Sequence, residues 1–289
     1  MSDYTHPEML VSTQWVADHL NDPNIRFVEA SSSSNEYDSG HIPRAVFWAW
    51  TGDIRQVDNR DILDMNGIGA LLSRSGISNS TTIVLYGGSS NIWAAKALWM
   101  LKIYGHQDVR LLDGDRFKWT NEDLPLTTDV PAIQPTTYQA KSPDWTLRAH
   151  RDLILDGIDR PNRVLVDART VAMYNGEDAR GAAIGGHISG AINVPAGAKE
   201  LKNRTYRWRT PTTNDDGAFK SVNELHDLFS SRGITSDKEI ITYCKLGGLS
   251  SHMWFVLKFL LGYPEVREYD GSWTEWGNLV GVPIEQATN

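Results

Sequence analysis

The chain has 289 residues, of which 40% are hydrophobic and 22% charged, and its formal net charge is −8. This length is most easily two domains, and the composition is typical of a soluble globular protein. The negative charge argues against nucleic acid or an anionic membrane as a partner bound through bulk electrostatics. A single cysteine allows no internal disulfide, and no run approaches the roughly 18 apolar residues of a membrane span. The N-terminus lacks a signal-peptide pattern, so we expect a cytoplasmic protein.

Strands and helices are predicted to alternate along each half of the chain. In the first half, strands are predicted at 27–30 and 83–86, and helices at 62–75 and 92–104. In the second half, strands are predicted at 164–167 and 240–243, and helices at 221–232 and 250–261. This alternation predicts an α/β fold, with a mainly parallel sheet flanked by helices in each half.

The two halves repeat the same landmarks in the same order. Gly-His-Ile occurs at 40–42 and 186–188, an apolar run ending in Tyr at 83–86 and 240–243, and Asp-Gly followed by Trp at 113–119 and 270–276. From residue 83 to residue 119 the matched positions stay 157 residues apart, and insertions are predicted within 176–185 and 199–216. The chain is therefore predicted to be a tandem repeat of domains 1–127 and 145–289, joined by a proline-containing linker at 128–144.

The sole cysteine, Cys244, follows a predicted strand and begins a short loop that leads into a predicted helix. A cysteine in that place faces backbone N–H groups and the positive end of a helix dipole. Such surroundings favour the thiolate, which is the nucleophilic form, so Cys244 is the candidate catalytic residue. A buried structural cysteine is the alternative. Gly87 takes the position of Cys244 in the first domain, which is therefore predicted to be non-catalytic.

Together these segments resemble the tandem-domain rhodaneses, the thiosulfate and 3-mercaptopyruvate sulfurtransferases. The segments that carry the resemblance are 40–43, 112–114 with Trp119, 186–195, Tyr243-Cys244 and 269–277. The stretch 250–277 most resembles the bacterial thiosulfate sulfurtransferases. The resemblance implies two rhodanese-like domains and an enzyme that moves sulfane sulfur from thiosulfate to cyanide or a thiol through a Cys244 persulfide. The implied partners are a small anionic sulfur donor and a thiophilic acceptor, and we expect a monomer.

Five residues near the cysteine are candidate substrate-binding groups: Lys245, Gly247, Gly248, Ser250 and Arg169. Lys245 would attract the sulfonate end of thiosulfate, or else it is a solvated surface lysine. The two glycines would let loop amides curve around the sulfur. Ser250 is placed either to donate a hydrogen bond to the substrate or, as the favoured interpretation, to cap the following helix. Arg169 follows a strand at the ligand-binding edge of the sheet, and an ion pair with a neighbouring carboxylate is an equal alternative.

The loop departs from the bacterial pattern in one respect. Gly248 and Leu249 stand where the resemblance implies an acidic residue and an arginine, so the pocket lacks one cation. A 3-mercaptopyruvate sulfurtransferase and a weakened binding or sulfur-carrier module are the alternative functions. Phosphatases that share the fold need His before the cysteine and Arg six positions after it, where this chain has Tyr243 and Ser250. Scattered histidines and a single cysteine give no metal-ligand spacing, so no metal and no cofactor are expected.

Overall fold

The computed structural model describes residues 3–200 and 206–287, with the backbone alone at 198–200, 206 and 207. The chain divides into two compact units. One comprises Glu8–Asp144 and Asp215–Ala218, and the other comprises Met1–Pro7, Trp145–Asn214 and Phe219–Asn289. The predicted domain limits at residues 127 and 144 stay predictions.

The first unit is built on a five-stranded parallel sheet with the spatial order β1-β5-β4-β2-β3. Its strands β1 to β5 are Leu10–Val11, Ile25–Ser31, Val46–Ala49, Thr82–Tyr86 and Val109–Leu112. Its helices α1 to α5 are Thr13–Asp18, Asn35–Ser39, Met65–Arg74, Ile92–Ile103 and Asp115–Asn121. Nearly every residue of β4 is buried, as expected for a strand that helices cover on both faces.

The second unit repeats this arrangement. Its strands β6 to β14 are Arg148–Ala149, Arg163–Asp167, His187–Ile188, Ile192–Asn193, Gly197–Glu200, Tyr206–Arg209, Glu239–Tyr243, Val266–Tyr269 and Ile284–Glu285. Its helices α6 to α10 are Arg151–Leu155, Val171–Asn175, Val222–Ser230, Gly248–Phe255 and Ser272–Trp276. The main sheet is again parallel, with the order β6-β13-β12-β7-β9, and β8 pairs with β14 and β10 with β11 as antiparallel ribbons. The α/β fold of two parallel sheets is confirmed.

The eight predicted elements correspond to β2, α3, β4, α4, β7, α8, β12 and α9. Helix α3 begins three residues later than predicted, because the Asp64 side chain caps it by accepting the N–H of Gly67. The segment 128–144 contains no helix or strand. The insertion predicted at 199–216 includes β11, while its residues 201–205 lie outside the described residues. Within the described ranges, no helix is long and apolar enough to cross a membrane.

Strand β12 positions the candidate site. It lies between β7 and β13, and its residues 240–243 are buried. Side chains alternate between the two faces of a strand, and the Thr242 hydroxyl donates to the Ser250 carbonyl of α9 at 3.0 Å. Two residues further on, Cys244 therefore lies on the same α9 side, at the carboxyl end of the sheet. Ligands bind at that edge in open α/β folds.

Candidate active site

Cys244 directly follows β12 and is 2% exposed. Its sulfur accepts the N–H of Gly247 at a distance of 3.2 Å. Gly247 has φ of 93°, in the left-handed region that glycine adopts without strain, and α9 begins at the next residue. The N–H groups in the first turn of a helix have no intrahelical partner and carry the positive end of its dipole. The local chain geometry thus surrounds the sulfur with groups that stabilise negative charge.

Ser250 supplies a hydroxyl to the same sulfur. Its Oγ lies 3.5 Å from Cys244 Sγ and 2.9 Å from Oε1 of Glu268. The favoured prediction that Ser250 caps the helix is wrong. Helix α9 begins at Gly248, two residues earlier, so Ser250 lies inside its first turn and Gly247 occupies the cap without a side-chain hydrogen bond. Its buried hydroxyl lies instead between the sulfur and the Glu268 carboxylate.

The segment after β13 fixes the backbone of the loop. The N–H of Cys244 donates to Ser272 Oγ at 3.2 Å, and its carbonyl accepts the N–H of Trp273 at 2.9 Å. The Thr274 hydroxyl donates to the Lys245 carbonyl at 2.6 Å. These bonds orient the loop amides before any substrate arrives, because the backbone between Cys244 and Lys245 is held on both sides.

Lys245 and Gly248 take different places in the loop. Lys245 is half-buried, and its ammonium group makes no ion pair or hydrogen bond with the residues that the structure describes. It is the cation nearest in sequence to Cys244 that remains available to an anion. Gly248 is buried as the first residue of α9, so it contributes its backbone N–H and no side chain. Both remain predicted substrate-binding residues.

Arg169 forms an ion pair with Asp167, which was one of the two alternatives given by the sequence. It is 1% exposed, its Nε lies 3.0 Å from both Asp167 oxygens, and its guanidinium lies 4.3 Å from the Trp273 ring centroid. Burial lowers the pKa of Arg169, but the charge and hydrogen bonds of Asp167, with smaller contributions from Tyr243 and Cys244, raise it overall. A direct contact with substrate stays a prediction that this geometry does not favour.

The corresponding loop of the first unit is filled by its own side chains. The N–H of Gly87 donates to Asn91 Oδ1 at 2.9 Å, and the N–H of Ser90 donates to Asp115 Oδ2 at 2.8 Å. Asp115 is the counterpart of Ser272, and Ser90 is the counterpart of Gly247. A carboxylate of the first unit therefore accepts the loop N–H that the second unit directs to the Cys244 sulfur. A Cβ at residue 87 would also collide with the backbone oxygen of Ala30. These features support the prediction that the first domain is non-catalytic.

Three residues of the site were missed by the sequence predictions: Glu268, Ser272 and Thr274. Ser272 and Thr274 belong to a segment that carries the resemblance, but their contacts with the loop depend on how α10 packs against it. Glu268 did leave a signal. It is a carboxylate within a buried strand, at the position where the other half of the repeat has Leu111.

Comparison with known proteins identifies the family of the chain. The rhodanese-like domain profile matches residues 12–122 and 151–279. The chain belongs to the rhodanese-like family. The sulfur carrier protein TtuD of Thermus thermophilus is 47% identical, over 97% of this chain and 98% of its own. A Saccharopolyspora erythraea protein named "Putative thiosulfate sulfurtransferase" is 42% identical, over 96% of both chains.

A solved structure shares the rhodanese-like fold along the whole chain. The anaerobic ergothioneine biosynthesis enzyme from Chlorobium limicola, in complex with its natural substrate trimethyl histidine, superposes with a TM-score of 0.86 at 25% identity. The alignment covers 100% of this chain and 72% of that one. The relatives place this rhodanese-like chain in the sulfurtransferase class.

Proposed function

We propose that the chain is a thiosulfate sulfurtransferase that carries sulfane sulfur as a persulfide on Cys244. The observation that carries this proposal is the environment of Sγ, which accepts the Gly247 N–H at 3.2 Å and has the Ser250 hydroxyl at 3.5 Å. Hydrogen-bond donors preorganised around a sulfur stabilise both a thiolate and the persulfide anion that follows it.

In the first half-reaction, the Cys244 thiolate attacks the outer sulfur of thiosulfate. A new S–S bond forms, the S–S bond of the donor breaks, and sulfite leaves with the bonding electron pair. Lys245 attracts the sulfonate end of the donor, since its ammonium has no other charged partner among the described residues. The Gly248 N–H, at the start of α9, is a donor for the persulfide.

In the second half-reaction, cyanide or a thiol attacks the outer persulfide sulfur and regenerates the Cys244 thiolate. The two steps share one covalent intermediate, so we expect ping-pong kinetics. Arg169 is buried in the same unit as the cysteine and forms an ion pair with Asp167. Its proposed part in both steps is to stabilise negative charge on sulfur.

A sulfur carrier is the second candidate function, and the 47% identical sulfur carrier protein of Thermus thermophilus favours it. A carrier would hold the same Cys244 persulfide but deliver it to a partner protein. The 3-mercaptopyruvate reaction remains the alternative for the donor. A scaffold without sulfur chemistry would keep its partner binding in the Cys244→Ser variant, whereas an enzyme or carrier would lose all sulfur transfer.

The deciding experiment is the intact mass of the protein before thiosulfate, after thiosulfate, and after subsequent cyanide. We expect a gain of one sulfur, about 32 Da, which cyanide removes and Cys244→Ser abolishes. A mass gain with 3-mercaptopyruvate but not with thiosulfate would make 3-mercaptopyruvate the donor. A persulfide from which cyanide removes no sulfur would favour the sulfur-carrier function. No gain with either donor would overturn the proposal.

The proposed enzyme works as a cytoplasmic monomer on small molecules, without nucleic acid, membrane, metal or cofactor. Its proposed catalytic domain is 145–289. Domain 1–127 is proposed to be non-catalytic, and residues 128–144 link the two domains.

A further inference from the structure

Glu268 is a buried carboxylate beside the candidate nucleophile that the reaction proposed above does not use. It lies on β13 and its side chain is fully buried. Its Oε1 lies 2.9 Å from the Ser250 hydroxyl oxygen, which in turn lies 3.5 Å from Cys244 Sγ. Thiol, hydroxyl and carboxylate are therefore connected by two successive contacts of hydrogen-bonding length.

The first unit shows that the fold itself does not need this carboxylate. In β4 and β5, Leu85 pairs with Leu111 in the same register in which Thr242 pairs with Glu268 in β12 and β13. Leu111 is fully buried at that position. Burying a carboxylate costs free energy that burying leucine does not. The costly residue occurs in the half of the repeat that carries the cysteine, which points to a use for the carboxylate there.

The two contacts permit one proton to move without any change in net charge. With Glu268 ionised, the Ser250 hydroxyl donates to the carboxylate and accepts from the Cys244 thiol. With Glu268 protonated, the carboxylic acid donates to Ser250, and the hydroxyl donates to the thiolate. A hydroxyl can serve in both arrangements because it has one donor and two acceptor sites. The buried pair thus avoids holding two negative charges at once.

We propose that Glu268, acting through Ser250, is a positioning residue that takes up the proton of the Cys244 thiol. For its part in sulfur transfer this inference rests on the function proposed above. The S–H bond of Cys244 breaks, an O–H bond forms on Glu268 through the Ser250 hydroxyl, and the sulfur keeps the electron pair with which it attacks the donor. Atoms and charge balance within the three side chains, and the sulfane donor is the sole further reactant.

Other ionisable groups lie on the elements near this path. They are Arg148 on β6, Asp167 and Arg169 at the end of β7, Tyr243 and Lys245 at the end of β12, His252 on α9, Asp270 after β13, and Glu275 on α10. Arg169 is paired with Asp167, Arg148 with Asp270, and His252 with Thr212. All of these groups are unchanged in a Glu268 variant, so a difference between the variant and the wild type reports on Glu268.

The test is the rate at which iodoacetamide alkylates Cys244, followed by intact mass from about pH 5 to about pH 10. Two coupled groups titrate in two macroscopic steps, so we expect two inflections in the wild-type profile. Glu268→Gln keeps the size and a hydrogen-bonding oxygen but takes up no proton. We expect it to lose the lower inflection and to fall about tenfold per pH unit below the remaining one, as an isolated thiol does. The exposed Glu265→Gln is the matched control and keeps both inflections.

Ser250→Ala provides a second, independent arm, because it removes the hydroxyl that joins the two groups. We expect the lower step to lose most of its amplitude in that variant. A Glu268→Gln profile that superimposes on the wild type overturns the proposal, and if that variant does not fold, an unchanged lower step in Ser250→Ala overturns it instead. Iodoacetamide requires no sulfur donor, so a chain that failed to take sulfur from thiosulfate would still give a clear answer here.

Discussion

At the level of single residues, the Ser272 side chain holds the backbone of the candidate nucleophile. Its hydroxyl accepts the Cys244 N–H at 3.2 Å, and its own φ of 53° lies in the left-handed region. Removing a buried acceptor leaves the N–H unsatisfied, at a cost of about 1–3 kcal/mol. We expect Ser272→Ala to lower the free energy of unfolding by this amount and to slow alkylation of Cys244.

A matched serine separates the two effects of that substitution. Ser75 in the first unit is also buried, and it accepts the Trp48 indole N–H at 2.9 Å. Ser75→Ala should cost similar stability, measured by urea unfolding, and leave the alkylation rate of Cys244 unchanged. Equal alkylation rates in both variants would contradict the positioning role of Ser272.

Lys245 is the residue that we propose to attract the anionic donor. Loss of one favourable charge contact is worth about 1.4 kcal/mol, or about tenfold in affinity. We therefore expect Lys245→Gln to raise KM for thiosulfate about tenfold, measured by steady-state kinetics at low salt. Lys238, at the other end of β12, is the control, and Lys238→Gln should leave KM unchanged. A KM in Lys245→Gln equal to that of the wild type would show that Lys245 is a solvated surface residue.

At the level of elements, the start of α9 depends on Gly247. Its φ of 93° is strained for any residue with a Cβ, by about 1–2 kcal/mol. We expect Gly247→Ala to lose this much stability in denaturant unfolding and to slow persulfide formation, because the N–H that meets Cys244 Sγ moves. The control is Gly197→Ala, since Gly197 lacks a left-handed φ and a Cβ there meets open space. Equal stability of the two variants would argue against strain at the start of α9.

Elements with a strong hydrophobic pattern could be predicted from the sequence, but the loop between β12 and α9 could be predicted less well. Strands β4 and β12 are rich in apolar and β-branched residues, and this composition is enough to predict a buried strand. The sequence predicts that α9 begins at Ser250, because serine is a common cap. Two glycines precede it, and the conformational freedom of Gly247 moved the start of the helix back by two residues.

The contacts of side chains within the site could not be predicted from spacing. Glu268 and Ser250 are 18 residues apart and meet because α9 packs against β13. Arg169 lies at the predicted sheet edge. Its guanidinium, however, forms an ion pair with Asp167, two residues earlier in the chain. The sequence predicts the sheet edge and the candidate nucleophile, whereas three-dimensional packing decides which polar groups remain for a ligand.

At the level of the whole molecule, we predict that the second unit carries sulfur and the first does not. In the first unit, loop amides are already occupied by Asn91 and Asp115, and residue 87 has no room for a Cβ. We expect Gly87→Cys, introduced into Cys244→Ser, to take no sulfur from thiosulfate by intact mass and to be less stable than its parent. A cyanide-labile gain of one sulfur in this double variant would show that the first loop can be made catalytic.

The first unit also carries a pH-dependent component of stability. Glu29 is fully buried against Arg116, and burial raises its pKa to about 7 although the Arg116 charge and the Tyr86 hydroxyl lower it. Between its ordinary value of 4.5 and about 7, the folded carboxyl holds a proton that the unfolded one has lost. The free energy of unfolding should therefore fall as the pH rises through this window, by no more than about 3 kcal/mol.

Glu29→Gln tests this dependence, because the amide does not titrate. Urea unfolding at about pH 5 and about pH 8 should show a smaller loss of stability in this variant than in the wild type. The exposed Glu265→Gln should behave as the wild type does. A pH dependence that Glu29→Gln leaves intact would mean that other groups account for it.

The near-complete burial of Cys244 also limits which reagents the chain can meet. With 2% of the residue exposed, only a slender molecule brings an atom within bonding distance of the sulfur. Thiosulfate and cyanide meet that size limit, whereas a bulky disulfide such as oxidised glutathione must displace protein atoms first. The fold therefore limits access to the Cys244 sulfur by the size of the reagent. For the function proposed above, we therefore expect small sulfur compounds to reach Cys244 and bulky disulfides to form mixed disulfides with it only slowly.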